Sequence, residues 1–133
     1  MSDIAAVVRR FVADYQSAGN ENVAEELLSA GFVDHTPFPG FGSTREDVKR
    51  LFHTLRAAFP DLHAEIHEQL SHAGRVATCK TFHGTHLGSF LGLPPTGKTV
   101  SIRVIDIVRV ESGRIAEHWN VVDVEGLMRQ LQS

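Results

Sequence analysis

The chain has 133 residues, a usual size for one domain, and we expect a single domain over residues 1–133. With 42% hydrophobic and 22% charged residues it resembles ordinary globular proteins, which excludes a disordered chain. The net charge of −3 favours neither nucleic acid nor an anionic membrane surface as a partner. A membrane span of ~20 apolar residues and a secretory signal pattern are both absent. Because Cys79 is the only cysteine, no intrachain disulfide can form, and we expect a cytoplasmic location.

The first part of the chain has the 3.6-residue apolar period of amphipathic helices. Six apolar positions predict a helix over residues 3–17, with Ser2 as its N-cap. A short second helix is predicted to begin at Asn22. A third helix is predicted to open at Thr44 and to end at Pro60, because proline cannot continue a helix.

From residue 62 onward the apolar period changes to two, which is typical of half-buried strands. A loop rich in glycine and proline at 87–98 interrupts the strands, and Asp123 is the predicted N-cap of a terminal helix. The order of three helices, four meandering strands and one helix predicts an α+β fold in which a curved antiparallel sheet wraps over the helices. The predicted strands are 62–70, 75–86, 99–110 and 114–122.

The strand 99–110 carries a carboxylate on an otherwise apolar face. Side chains alternate along a strand, so Asp106 shares one face with aliphatic neighbours such as Val104 and Val108. A buried carboxylate is costly unless it is paired. Asp106 is therefore either the centre of a structural hydrogen-bond network or a tuned acid/base group.

The turn at Gly113 predicts the partners of Asp106 on the last strand. A three-residue loop with Gly113 in the left-handed conformation would place Asp106 opposite His118, and Val104 opposite Asn120. Asp106, His118 and Asn120 are thus the candidate catalytic residues. Two alternatives stay open at this point: the polar groups only satisfy one another, or the register is shifted by one residue.

The opposite face of the same hairpin predicts a subunit interface. Ile105, Ile107 and Trp119 form an apolar patch rimmed by Arg103 and Arg109. An exposed apolar patch of this kind is typical of an interface, so we expect a homodimer through the outer face of the sheet.

Two segments of the chain carry a resemblance to a known family: Gly84-Thr-His-Leu-Gly-Ser-Phe-Leu-Gly-Leu-Pro-Pro-Thr-Gly-Lys98 and Asp106-Ile-Val-Arg-Val-Glu-Ser-Gly-Arg-Ile-Ala-Glu-His118. They resemble the SnoaL-like polyketide cyclases, also called ester cyclases. The resemblance covers nearly the whole chain. It implies the nuclear-transport-factor-two-like (cystatin-like) fold, a cone with an apolar pocket between helices and sheet. It also implies ring closure of a polyketide ester by intramolecular aldol condensation, with no cofactor.

In this family a carboxylate on the last strand acts as general acid/base, and a polar residue on the preceding strand assists it. The resemblance places the first position at Asn120, which cannot take up a proton, and the second at Asp106. One interpretation makes Asp106 the base, while His118 and Asn120 donate hydrogen bonds to the enolate. The aliphatic wall is expected to raise the pKa of Asp106 towards neutrality, and His118, if charged, opposes that rise. In the other, the pocket binds a small hydrophobic ligand or catalyses a different lyase, isomerase or hydrolase reaction.

The expected ligand is polyketide-like or another small hydrophobic molecule, and several residues are candidates for contact with it. His35 ends a short predicted strand after the second helix and could lean over the mouth of the pocket. His83 and His86 point to opposite faces of one strand and predict no metal site. For each phenylalanine, core packing is the competing interpretation. The candidate substrate-binding residues are His35, Phe38, Phe41, His86, Phe90 and Val104.

Overall fold

The helices and strands follow the predicted order in a computed structural model that describes residues 3–133. An edge strand, β1, lies between the second and third α-helices. The helices are α1 (Ile4–Arg10), a π-helix (Phe11–Ser17), α2 (Glu21–Leu27), α3 (Arg45–Ala58) and α4 (Val124–Gln132), and the strands are β1 (Leu28–Asp34), β2 (His63–His72), β3 (Arg75–Thr85), β4 (Thr99–Glu111) and β5 (Arg114–Val122).

The N-terminal helical segment changes type along its length. The predicted helix over 3–17 is α-helical only to Arg10 and continues as a π-helix, which the apolar spacing cannot distinguish over two turns. The predicted N-cap Ser2 lies outside the described residues, and the Asp3 side chain accepts a hydrogen bond from the Ala6 N–H at 3.3 Å. The second helix begins earlier than predicted, because Asn20 caps it.

The third helix confirms its predicted signals. Thr44 and Asp47 form a reciprocal capping box, in which the Asp47 N–H donates to Thr44 Oγ1 at 3.2 Å and the Thr44 N–H donates to Asp47 Oδ2 at 3.1 Å. The helix ends at Ala58, two residues before Pro60. Across residues 3–133, no helix is long and apolar enough to cross a membrane.

The five strands form one sheet in the order β1-β5-β4-β3-β2. Strands β2 to β5 make the predicted antiparallel meander. Strand β1 adds a parallel pairing to β5, which the sequence did not predict. It can be parallel because α3 and three further strands separate β1 from β5, so no hairpin joins them. The α+β class is confirmed, with the helices on the inner face of the sheet.

The register of the last hairpin differs from the prediction. The loop has two residues, Ser112 and Gly113, both with positive φ, as in the turns that suit hairpins. A bulge then leaves Ala116 without a partner on β4. The shorter loop and the bulge each move the pairing by one residue.

As a result, Asp106 lies opposite Asn120, whereas His118 lies opposite Val108 and Val104 opposite Val122. The predicted direct pairs Asp106–His118 and Val104–Asn120 are therefore wrong. A shift of two residues preserves the alternation of faces. Asp106, His118 and Asn120 consequently still share the inner face.

Candidate active site

A pocket lies between the helices and the inner face of the sheet, with about 1120 Å³ of space including its open mouth. Most of its wall is aliphatic or aromatic, which suits a bulky apolar ligand. Its polar groups come from the π-helix, the end of β1 and three adjacent strands. The polar side chains in the wall are Gln16, Asp34, Thr36, Lys80, Asp106, His118 and Asn120.

Asp106 is the buried carboxylate of this pocket, with 5% of its side chain exposed. Its Oδ2 forms an ion pair with the Lys80 ammonium at 2.8 Å. Its Oδ1 is buried and has no hydrogen-bond partner among the described residues. Sequence reasoning missed Lys80, although strand alternation was a usable signal, since Lys80 shares its face of β3 with the buried Val76 and Phe82.

His118 lies between two carboxylates. Its Nδ1 is 3.0 Å from Asp34 Oδ1, and its Nε2 is 3.7 Å from Asp106 Oδ2. Asp34 reaches His118 because the last residue of β1 pairs directly with it on β5. Sequence reasoning missed Asp34, because no local sequence pattern predicts a parallel pairing between segments that are distant along the chain.

The pKa shifts in this cluster follow from its charges. Burial raises the pKa of Asp106, but the charges and hydrogen bonds of Lys80 and His118 outweigh it, and the net shift is downward. Burial also raises the pKa of Asp34, but the hydrogen bond and charge of His118 together with the hydrogen bonds from Thr36 outweigh it, and the net shift is downward. Burial lowers the pKa of His118, yet the two carboxylates reverse this and raise it. Burial therefore acts in the expected direction, but the expected net rise of the Asp106 pKa towards neutrality is wrong. The site favours ionised carboxylates beside an imidazolium.

Asn120 is held by Thr36, a residue just after β1 that sequence reasoning missed. The Thr36 hydroxyl donates to Asn120 Oδ1 at 2.9 Å, and the Asn120 backbone N–H donates to Thr36 Oγ1 at 2.8 Å. Because its amide oxygen is engaged, Asn120 can offer its amide nitrogen as a donor. Asn120 is also the direct cross-strand neighbour of Asp106.

His35 lies on the outer face of the sheet, not at the mouth of the pocket. Its ring stacks on Trp119 with the centroids 4.7 Å apart, and its Nε2 is 3.0 Å from Glu117 Oε1. The preceding residue, Asp34, points into the pocket, and successive side chains of an extended segment point to opposite sides. The predicted position of His35 over the mouth of the pocket is therefore wrong.

The other candidate substrate-binding residues divide into two groups. Phe38, Phe90 and Val104 line the pocket, and their role in binding stays a prediction. Phe41 lies outside the lining, beside Phe38 and beneath the guanidinium of an arginine. His86 is also outside it, since it is fully buried under the loop and its Nδ1 accepts from a backbone N–H. Within residues 3–133 no group of His, Cys, Asp or Glu is arranged to hold a metal ion.

Comparison with known proteins assigns the chain to a family. The family model of the SnoaL-like polyketide cyclases matches residues 6–131. Aklanonic acid methyl ester cyclase DnrD of Streptomyces peucetius is 30% identical over 138 residues, which cover 98% of this chain and 92% of that protein. The crystal structure of wild-type IdmH from Streptomyces antibioticus has a TM-score of 0.88 at 27% identity, covering 99% of this chain and 100% of that chain. The chain therefore belongs to the SnoaL-like polyketide cyclase family.

Proposed function

We propose that this protein is a polyketide ester cyclase that closes a ring by intramolecular aldol addition. The observation that carries the proposal is the Oδ1 atom of Asp106, a carboxylate oxygen buried in the wall of an apolar pocket without a hydrogen-bond partner. A carboxylate in this setting can accept a proton from a bound carbon acid. The aklanonic acid methyl ester cyclases among the relatives support a keto ester as the substrate class.

In the proposed reaction, Asp106 Oδ1 removes a proton from the carbon next to a substrate carbonyl. The resulting enolate carbon attacks a ketone carbon of the same molecule, so that a carbon–carbon bond forms and the electrons of the C=O bond move to oxygen. His118 Nε2 donates its proton to this alkoxide. Asp106 and His118 lie too far apart for direct proton transfer, since His118 Nε2 is 3.7 Å from Asp106 Oδ2. The proton taken by Asp106 therefore returns to His118 through one water molecule, which restores both groups.

The remaining polar groups stabilise charge, and the apolar wall orients the substrate. Asn120 donates a hydrogen bond to the enolate oxygen, where negative charge develops. Asp34 holds the His118 ring by its Nδ1, so that Nε2 faces the reacting atoms. The apolar wall excludes water from the carbanion and keeps the two reacting carbons close together.

The direct test is ring closure by the purified protein. We expect it to convert aklanonic acid methyl ester, the compound that appears in the names of its relatives, into a cyclised isomer of unchanged mass. Chromatography and absorbance measure the conversion. A heat-denatured sample is the control for spontaneous closure. If neither this ester nor a second aromatic polyketide keto ester reacts faster than in the control, the proposal is wrong.

Asn120 favours a second candidate function. At the position where the family resemblance expects an acid/base carboxylate, this chain has an amide that cannot take up a proton. In that case the pocket binds a small hydrophobic molecule, or supports a different lyase, isomerase or hydrolase reaction. Native mass spectrometry that finds a tightly bound apolar molecule, together with no conversion of the keto esters, would favour this candidate.

The outer face of the sheet supports a homodimer as part of the proposal. Ile105, Ile107 and Val121 are 57%, 40% and 76% exposed on neighbouring strands, beside Trp119. A contiguous apolar surface of this kind is suited to a second copy of the same chain.

Replacing Ile107 with Glu is expected to convert the dimer to a monomer, because a charge would be buried in the interface. Sedimentation equilibrium of wild type and Ile107→Glu measures this directly. The matched control is Leu87→Glu, which places the same charge on an exposed loop residue. A wild-type protein that sediments as a monomer contradicts the proposed interface.

A further inference from the structure

Lys80 is a buried cation in the wall of the pocket, and the reaction proposed above assigns it no step. Only 3% of its side chain is exposed. Its ammonium is 2.8 Å from Asp106 Oδ2 and 2.9 Å from Gln16 Oε1. Removing an ammonium from water is costly, and these two acceptors compensate for that cost. The contacts place Lys80 directly against the proposed base.

The charged contacts of Asp106 are unevenly distributed over its two oxygens. Lys80 and His118 both approach Oδ2, whereas Oδ1 has no partner among the described residues. A carboxylate held at one oxygen presents the other in a fixed direction. We propose that Lys80 is a positioning residue that binds Oδ2 and thereby makes Oδ1 the proton-accepting oxygen, an inference that rests on the proposed function.

Gln16 keeps the Lys80 ammonium in place from the helical side of the pocket. It belongs to the π-helix, and its backbone carbonyl accepts a hydrogen bond from Arg56 at 2.8 Å. Arg56 also donates to the carbonyl of Ser17 at 3.4 Å. The π-helix is thus tied to α3, and Lys80 is clamped between this helix and the sheet.

The charges around Asp106 make the role of Lys80 measurable. Lys80 faces Asp106 from β3, His118 faces it from β5, and Asp34 lies behind His118 on β1; the π-helix contributes the neutral Gln16. Burial pushes the pKa of Asp106 up, and among the groups that lower it the Lys80 charge has the largest effect. Without Lys80 the pKa of Asp106 must rise, so a higher pH is needed to ionise the base.

The test compares Lys80→Met with Lys80→Arg, using the pH profile of kcat/KM for ring closure and the ¹³C NMR titration of the Asp106 carboxyl. In Lys80→Met we expect kcat to fall by roughly tenfold to a hundredfold with little change in KM. The acid limb of the profile and the Asp106 titration should both move to higher pH. Lys80→Arg keeps the charge and should leave both near their wild-type positions, with part of kcat restored.

Either an unchanged kcat or an unchanged Asp106 titration in Lys80→Met would overturn the inference. Lys80→Met/Asp106→Asn removes both charges and is the control for folding. If Lys80→Met does not fold, Gln16→Leu is the second variant: it keeps the ion pair but frees the ammonium, so kcat should fall while the acid limb stays in place. An unchanged kcat in Gln16→Leu would contradict the clamp.

The NMR titration separates this inference from the proposed function. If the wild-type protein cyclises no keto ester, the proposed function fails, but the Asp106 titration in Lys80→Met can still be measured. A titration that moves to higher pH supports Lys80 as the group that controls the carboxylate. A titration that does not move overturns it.

Discussion

Replacing Asp106 with Asn is expected to reduce kcat/KM for ring closure by ~10²–10⁴-fold, the usual contribution of a general base. An amide has nearly the same shape as the carboxylate, so substrate can still enter the pocket. It cannot accept a proton, and the remaining groups of the cluster do not replace it. His118 has its Nδ1 engaged by Asp34, and the raised pKa of its imidazole favours the protonated form, which acts as an acid.

The measurement is the initial rate of cyclisation, with thermal unfolding recorded on the same samples. Asp14→Asn is the matched control, since Asp14 is exposed and its ion pair with Arg10 is a long surface contact of 3.7 Å. That variant should retain wild-type activity. Full activity in Asp106→Asn would mean that another group removes the proton, and the assignment of Asp106 as the base would be withdrawn.

Truncation of Phe59 to alanine is expected to lower the free energy of unfolding by ~3–5 kcal/mol, as for other large core aromatics. Phe59 is completely buried at the end of α3. Its ring lies 5.4 Å from that of Phe90 and 5.5 Å from that of His86. It therefore joins the third helix to the loop that contributes Phe90 to the pocket wall.

Urea unfolding followed by circular dichroism measures this loss. Leu91→Ala is the comparison, because it removes an apolar side chain from the same loop at a position that is 48% exposed. We expect a change of within about 0.5 kcal/mol for that variant. Equal losses in the two variants would show that Phe59 does not connect the helix to the loop in the way described.

The candidate site could be predicted in part because strand alternation is a local property. Asp106 is the carboxylate on the apolar face of β4, and the neighbours on that face are buried as expected. His118 and Asn120 were assigned to the same face although the predicted register was wrong by two residues. A shift by an even number moves every pair along the strand and leaves the faces unchanged.

The residues that prediction missed come from segments distant along the chain. Asp34 and Thr36 enter the site through the pairing of β1 with β5, across more than 80 residues of sequence. Lys80 becomes a partner of Asp106 only once β3 and β4 are aligned and the π-helix closes over them. His35 was assigned to the wrong side of the sheet for the same reason, since the residues around it do not show which strand β1 pairs with.

The sequence by itself determined the class of the fold, the ends of α3 and the inner face of β4. Each depends on residues a few positions apart, through capping, proline and alternation. Only the tertiary structure decided which atoms meet in the pocket: the bulge at Ala116, the parallel edge strand and the Lys80–Asp106 ion pair. These features depend on long-range pairing and on the balance of burial against charge. That balance places the pKa of Asp106 below its ordinary value, where the sequence predicted a rise.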